Sequence, residues 1–230
     1  MEHNNYIGGR YSVLSEVGML PACMMGLDIK KFKQLNNLIK NKKFLSNLII
    51  NVSHLFNLIQ SKKRNSIMIN YDEKLDDFLK WYQQLTAESL GKNDNGVFPI
   101  ISHMPKDNHS LLQLYLDGPK DSFFTFFNTS DQKFFESSKS MKFNFNKFLS
   151  NNKISRILDF KKKASENIFL KKRINFRSFT VLRRNEEAIG ELFCFFILET
   201  ILLGKLMKIN PYDQPAVELV KKETKKLLRI

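Results

Sequence analysis

Short β-prone runs alternate with longer segments of helical periodicity along this chain, and that alternation restricts the fold more than any other feature. The strand-like runs cover residues 65–71, 98–102, 122–127 and 175–182. Apolar residues at helical spacing fill 13–27, 32–39, 44–59, 73–90 and 110–115, and two long helices are expected at about 184–208 and 214–229. Strands that alternate with helices imply a parallel sheet covered on both faces. Ligands in such sheets bind outside the carboxyl ends of the strands, so the loops before His109 and after Gly96 are expected to form a site. Residues 129–153, rich in Ser, Lys, Asn and Phe, carry no clear periodicity.

Composition narrows the class further. A chain of 230 residues with 43% hydrophobic content and 21 Phe has ample material for a core, in one large domain or one and a half. Cys23 and Cys194 are far apart and match no metal or redox spacing, which points to free thiols in a reducing cytoplasm. The N-terminus has neither the basic start nor the apolar run of a secretion signal. The longest apolar run, 192–207, is broken by Glu199 and Lys205, so a buried core helix is expected rather than a membrane span. The net charge of +14 is spread over short clusters at expected helix ends and turns. No zinc spacing or nucleic-acid motif accompanies it, so a nucleic-acid partner is not expected. Such a field would still steer an anionic small molecule towards a cleft.

Four stretches carry chemistry. The segment Ile209-Asn-Pro-Tyr-Asp-Gln-Pro-Ala-Val-Glu-Leu-Val-Lys221 sets a proline-forced turn before a helix, with Asp213 as expected N-cap and Pro215 in the first turn. Gln214 and Lys221 are two helical turns apart, which predicts an amide and an ammonium on one face. Trp81-Tyr-Gln-Gln-Leu-Thr-Ala-Glu-Ser-Leu-Gly-Lys92 holds one carboxylate, Glu88, near the end of a helix. Gly8-Gly-Arg-Tyr-Ser-Val-Leu-Ser-Glu-Val-Gly18 lies near the start, and Asp107-Asn-His-Ser-Leu-Leu-Gln-Leu-Tyr-Leu-Asp-Gly-Pro-Lys120 follows the second strand. Together, in this order, the four resemble the glucose-6-phosphate isomerase (phosphoglucose isomerase) family, particularly its bacterial forms.

The resemblance implies the sugar isomerase fold, a doubly wound αβα sandwich with a parallel sheet and long C-terminal helices. It also implies interconversion of glucose 6-phosphate and fructose 6-phosphate in glycolysis and gluconeogenesis, with no cofactor and no metal. Moving a proton between adjacent carbons needs a positioned base and a stabiliser for the enediolate oxygen. Glu88 matches the family's Glu-Ser-x-Gly-Lys motif, whose carboxylate shuttles the proton, and a helix C-terminus favours its protonated form. By resemblance Arg10 stabilises the enediolate and Gly9 presents backbone to the sugar. Lys221 and His109 take part in ring opening, and Gln214 contacts the substrate. His109 is expected to reach the site of a second subunit, which implies a homodimer in the cytoplasm. His54 lies in an apolar helical pattern and is expected to pack; His103 carries no role.

The chain departs from the family in one respect. The Ser/Thr-rich loop that holds the phosphate lies upstream of the Gly-Gly-Arg motif in the family, and only seven residues precede Gly8. Asn128-Thr-Ser130 and Ser137-Ser-Lys-Ser140 contain hydroxyls but stand in the wrong place and order. The chain therefore resembles the C-terminal portion of the enzyme. Residues 1–27 are expected to enter from an N-terminal sugar isomerase subdomain and 28–230 to form the C-terminal one. The competing expectation is a catalytically incomplete fragment that binds sugar phosphates or a partner.

Overall fold

The computed structural model describes residues 6–130 and 154–228. Four strands, β1 (Asn65–Asn70), β2 (Phe98–His103), β3 (Ser122–Thr129) and β4 (Phe176–Val181), form one sheet in the order β2-β1-β3-β4. Every pairing is parallel, with Asn65 opposite both Phe98 and Ser122, and Phe124 opposite Phe176. Parallel strands buried on both faces read as continuous apolar runs. Accordingly, Ile67 and Ile69 face one layer while Met68 faces the other, and Phe124 and Phe126 oppose Phe123 and Phe127 in the same way.

Ten α-helices lie among the described residues. They are α1 (Glu16–Met24), α2 (Ile29–Phe32), α3 (Leu35–Leu38), α4 (Lys42–Gln60), α5 (Asp76–Leu90), α6 (Asp107–Ser110), α7 (Leu112–Asp117), α8 (Ile154–Lys171), α9 (Glu186–Leu206) and α10 (Pro215–Leu227). Leu48, Val52 and Leu55 of α4, Leu79 and Leu85 of α5, and Phe196 and Leu203 of α9 pack on one side of the sheet. Tyr115 of α7 and Phe169 of α8 close the other. Burying a Leu- or Phe-sized side chain contributes about 1.5–3 kcal/mol, so these two layers dominate the stability. Residues 9–27 are not a detached piece, because Met19 and Ala22 pack with Phe32 against Ile189 and Phe193.

The expected strands and most helices stand within a few residues of their positions. The 13–27 segment divides into a 3-10 turn, Gly9–Leu14, and α1. The 110–115 segment becomes α6 and α7. Helix α8 had no counterpart in the expectation; its Lys161-Lys-Lys163 run interrupts the apolar stripe that Phe169 completes. The Ser137–Ser140 stretch lies outside the described residues.

Three non-glycine residues take the left-handed conformation just past helix ends. Lys62, Arg173 and Lys208 have φ of 61°, 56° and 57°. In each case the next residue donates back into the last turn: Lys63 to Leu58, Ile174 to Phe169, Ile209 to Gly204. This closes the orphan helix carbonyls, with a basic side chain where glycine is the commoner choice.

Candidate active site

A returning helix in a doubly wound sheet ends beside the amino ends of the strands. Helix α5 leaves β1 at its carboxyl end and finishes at Leu90, before the loop into β2. Glu88 and Ser89 therefore sit at the amino-end edge of the sheet. This differs from the expectation that the site forms at the carboxyl ends.

There the 3-10 turn near the chain's start and the loop before α10 meet on α5. Arg10, in the 3-10 turn, is 4% exposed and spends five hydrogen bonds. Its Nε donates to Ser89 Oγ at 2.8 Å, and one terminal nitrogen donates to the carbonyls of Pro211 and Asp213 at 2.8 and 2.9 Å. The other terminal nitrogen donates to Gln214 Oε1 at 3.0 Å and to Glu88 Oε2 at 3.3 Å. Gln84, one turn earlier on α5, donates to Glu88 Oε1 at 3.0 Å. The Glu88 side chain keeps 28% exposure, so the carboxylate stands at the mouth of the cluster. A guanidinium held on one side and facing a carboxylate and an amide on the other is a ready anion-stabilising group.

The surroundings fix this geometry. Ser89 is fully buried and also accepts from the Tyr11 hydroxyl at 3.0 Å. Burial raises the Tyr11 phenol above its ordinary pKa, so Tyr11 remains a donor at neutral pH. Trp81, the only tryptophan, donates its indole N–H to the Arg10 carbonyl at 2.9 Å. Lys92 pairs with Asp213 at 2.6 Å and donates to the Asn210 carbonyl. The hydrogen bond from Lys92 holds the Asp213 carboxyl below the ordinary carboxylate range. Gly204 lets the Pro211 ring approach α9, since a Cβ there would stand 2.9 Å from Pro211 Cβ.

Arg10, Glu88 and Gln214 are thus brought together, and Gly9 is adjacent. Gly9 is exposed and a Cβ added there would meet nothing within 4 Å, so the space beside it is open. His109 and Lys221 stand elsewhere. His109 is exposed on α6, just past the carboxyl end of β2. A six-residue strand spans roughly 20 Å, which separates it from Glu88 at the opposite edge. Lys221 is exposed on α10 and pairs with Glu218 at 2.7 Å. The expected common face of Gln214 and Lys221 does not form, because Gln214 precedes the first turn with φ −154° and ψ 64°. Asp213 is not the N-cap either; it is committed to Lys92, and Gln214 takes that position without a side-chain capping bond.

One histidine expectation also changes. His54 is exposed on α4 rather than packed, and it lines a groove of about 1200 Å³ between α4, β4 and α9. His103 lies 3.3 Å from Asp76. Among the described residues no His, Cys, Asp or Glu group could hold a metal ion, and no helix is long and apolar enough to cross a membrane. Sequence reasoning missed Ser89, which accepts from Arg10, and Lys92, which holds the loop that Arg10 bonds, although both belong to the quoted Glu-Ser-Leu-Gly-Lys stretch. Only the fold brings Arg10 to them.

Comparison with known proteins agrees with this picture. The family model described as phosphoglucose isomerase matches residues 1–103, a span that holds Arg10 and Glu88 and stops before His109. The chain is 34% identical over 221 residues to the probable glucose-6-phosphate isomerase of Methanococcus maripaludis, covering 94% of this chain and 50% of that protein. It is 33% identical over 241 residues to the glucose-6-phosphate isomerase of Methanocaldococcus jannaschii, covering 99% and 60%. Among solved structures, a hypothetical protein from Thermus thermophilus superposes with a TM-score of 0.84 at 25% identity, covering 96% of this chain and 55% of that one. A glucose-6-phosphate isomerase from Chlamydia trachomatis shares the fold, with a TM-score of 0.75 at 18% identity and coverage of 99% and 48%. The chain spans about half the length of the curated relatives it matches.

Proposed function

We propose that this chain, which belongs to the phosphoglucose isomerase family, supplies the proton-transfer half of an aldose–ketose isomerase acting on glucose 6-phosphate and fructose 6-phosphate. The observation that carries this reading is the Glu88 carboxylate set against one terminal nitrogen of a buried Arg10. Glu88 takes the C2 proton of the open aldose; the C2–H electron pair forms the C1–C2 double bond, and the carbonyl pair moves onto the C1 oxygen. That oxygen becomes the enediolate, and Arg10 offers it the N–H groups now held by Glu88 and Gln214. The C2 hydroxyl gives its proton to the C1 oxygen, the charge passes to the C2 oxygen, and as that oxygen's electron pair forms the C2 carbonyl the double-bond pair takes the proton back from Glu88 at C1, which yields the ketose. The guanidinium retains its charge at any working pH, so stabilisation does not depend on the base's own protonation cycle. Chain topology supports a shared site as well. His109 lies across the sheet from Glu88, so it reaches a site of this kind only in a second copy, as in a homodimer. Lys221, on a helix with no buried residue, is free to approach from the same quarter only after α10 gains a packing partner.

The test joins this chain to an upstream sugar isomerase subdomain from a relative and follows exchange of the substrate C2 proton with solvent. The chain alone is expected to be a poor isomerase, because positioning by a remote phosphate lowers the barrier as well as the apparent affinity. The joined protein is expected to be active, and Glu88→Gln is expected to remove exchange while leaving the fold intact. Near-normal exchange in Glu88→Gln would overturn the role of the carboxylate. A joined protein that binds hexose phosphate without isomerising it favours the binding-fragment reading instead.

A further inference from the structure

We infer that Lys92 is a positioning residue: it latches the Asn210–Gln214 loop to the end of α5, and through that loop aims the Arg10 guanidinium at Glu88. The inference rests on the isomerase reading only for what Arg10 is aimed to do; the latch itself is a matter of contacts. Of the five Arg10 hydrogen bonds, two go to the Pro211 and Asp213 carbonyls and a third to Gln214, so the loop provides most of the mould for the guanidinium. A loop of this kind has no ladder or helix to hold it. Besides the bonds from Arg10, its fixity comes from four groups of contacts. The Pro211 ring is seated against Gly204, Asn210 Oδ1 accepts from the Tyr212 N–H at 3.0 Å, Tyr11 donates to the Pro211 carbonyl at 3.1 Å and meets the Tyr212 ring, and Lys92 grips Asp213 and Asn210.

Among these, Tyr11 ties the loop to α5 through a hydroxyl shared by the Pro211 carbonyl and Ser89, and Lys92 ties it there with a charge. Lys92 lies two residues beyond the α5 terminus, next to the Gly91 cap, and its side chain is 10% exposed while that of Asp213 is 51% exposed. The ammonium is the buried partner, bonded to a carboxylate and a carbonyl at once. Asp213 in turn accepts from Asn210 Nδ2 at 3.1 Å, so the latch fixes both ends of the turn. Removing the ammonium releases the loop carbonyls, and the guanidinium plane loses its backing on the side away from Glu88. Nε stays on Ser89, so Arg10 is expected to pivot about that bond rather than to leave the site.

Nuclear magnetic resonance on this chain, with nitrogen labels on the Arg guanidinium, tests the latch without any assay of isomerase activity. In Lys92→Met, solvent exchange of the terminal Nη–H groups of Arg10 is expected to quicken by about tenfold or more, with the global unfolding midpoint little changed. Asp213→Asn, a change at an exposed carboxylate, is expected to quicken it in the same way and by less. It decides the matter alone if Lys92→Met does not fold. Unchanged Arg10 Nη–H exchange overturns the inference. Failure of the isomerase reading would appear in C2 proton exchange and leave this readout standing.

Discussion

Arg10 and Arg177 each spend five hydrogen bonds and each meet a glutamate, yet they are built into the molecule differently. Arg177 projects from β4 into the layer between the sheet and the α4, α5 and α9 helices. It donates to Thr125, Asn51, Tyr82 and both oxygens of Glu199. The Glu199 side chain is 1% exposed and also accepts from Tyr82 at 2.6 Å and from Asn51. The Arg177 guanidinium lies 5.2 and 5.6 Å from the Phe179 and Phe196 ring centres. Burial opposes the charge on Arg177, but the Glu199 carboxylate outweighs it and holds the guanidinium protonated. Burial, and then Glu199, raise the Tyr82 phenol, which stays a donor. Arg10 is the more buried of the two arginines, its side chain 3% exposed against 15% for Arg177, but its glutamate is the exposed one, and three of its partners are neutral groups on one loop. A pair whose carboxylate is sealed in the core cannot exchange it for a ligand. A pair with its carboxylate at the surface can, at the cost of a modest contact.

The largest expected effect breaks the core pair. Glu199→Ala leaves a guanidinium unpaired among aromatic rings and is expected to destabilise the chain by about 3–5 kcal/mol in chemical denaturation. Adding Arg177→Met to a Glu199→Leu chain is expected to recover most of that loss, since the two polar groups then leave together. If Glu199→Ala unfolds at the parent midpoint, the contrast between the two arginines fails.

Ser89→Ala sharpens the contrast from the other side. It removes the fully buried acceptor shared by Arg10 Nε and the Tyr11 hydroxyl, and is expected to cost about 1–3 kcal/mol. Arg10 keeps its loop and glutamate partners, so the loss should fall short of that for Glu199→Ala. Denaturation of both variants under one set of conditions ranks them.

Lys208→Gly changes the backbone next to the Arg10 loop without touching any Arg10 contact. Glycine relieves the left-handed conformation at φ 57°, and a gain of about 0.5–1 kcal/mol in unfolding free energy is expected. A loss would mean that the Lys208 side chain carries a contact that outweighs the strain.

The smallest effect is a dependence on pH. The folded Asp213 carboxyl lies below its ordinary value of 3.8, because Lys92 hydrogen-bonds and faces it. Its contribution is therefore complete above about pH 4 and is lost as pH falls through the folded pKa. Unfolding midpoints measured from pH 5 down to pH 2 should fall less steeply in Lys92→Met than in the parent. By contrast, burial pushes the Cys194 thiol up to about 11, so this residue is expected to resist alkylation at pH 8 while exposed Cys23 reacts.

Much of the fold was legible because its signals are local. Phe123, Phe124, Phe126 and Phe127 in one run announce a strand buried on both faces, and the period of α4 shows its apolar face directly. Helix α8 was not legible, because three successive lysines interrupt its stripe. Within the site, Arg10 and Glu88 were found through motif residues. The failure over Gln214 and Lys221 has a physical cause. Spacing of seven places two residues on one face only if both are helical, and Gln214, which precedes Pro215, is held outside the helix and bonds Arg10 instead. His54 misled for a related reason: an apolar period does not say whether its flank meets a sheet or a groove.

By itself the sequence determined a parallel α/β sandwich, its strand positions, and a carboxylate and a guanidinium with the right chemistry for moving a proton between carbons. These follow from side-chain period, turn residues and intrinsic acidity, which depend on near neighbours. Only the tertiary structure decided that residues 10, 88, 89, 92 and 211–214 form one cluster, that it lies at the amino edge of the sheet, and that His109 lies at the other. Those placements depend on which way α5 returns and on where the loop after α9 is caught. Contacts between residues some eighty and two hundred positions apart are settled by packing and hydrogen-bond satisfaction, which no local pattern encodes.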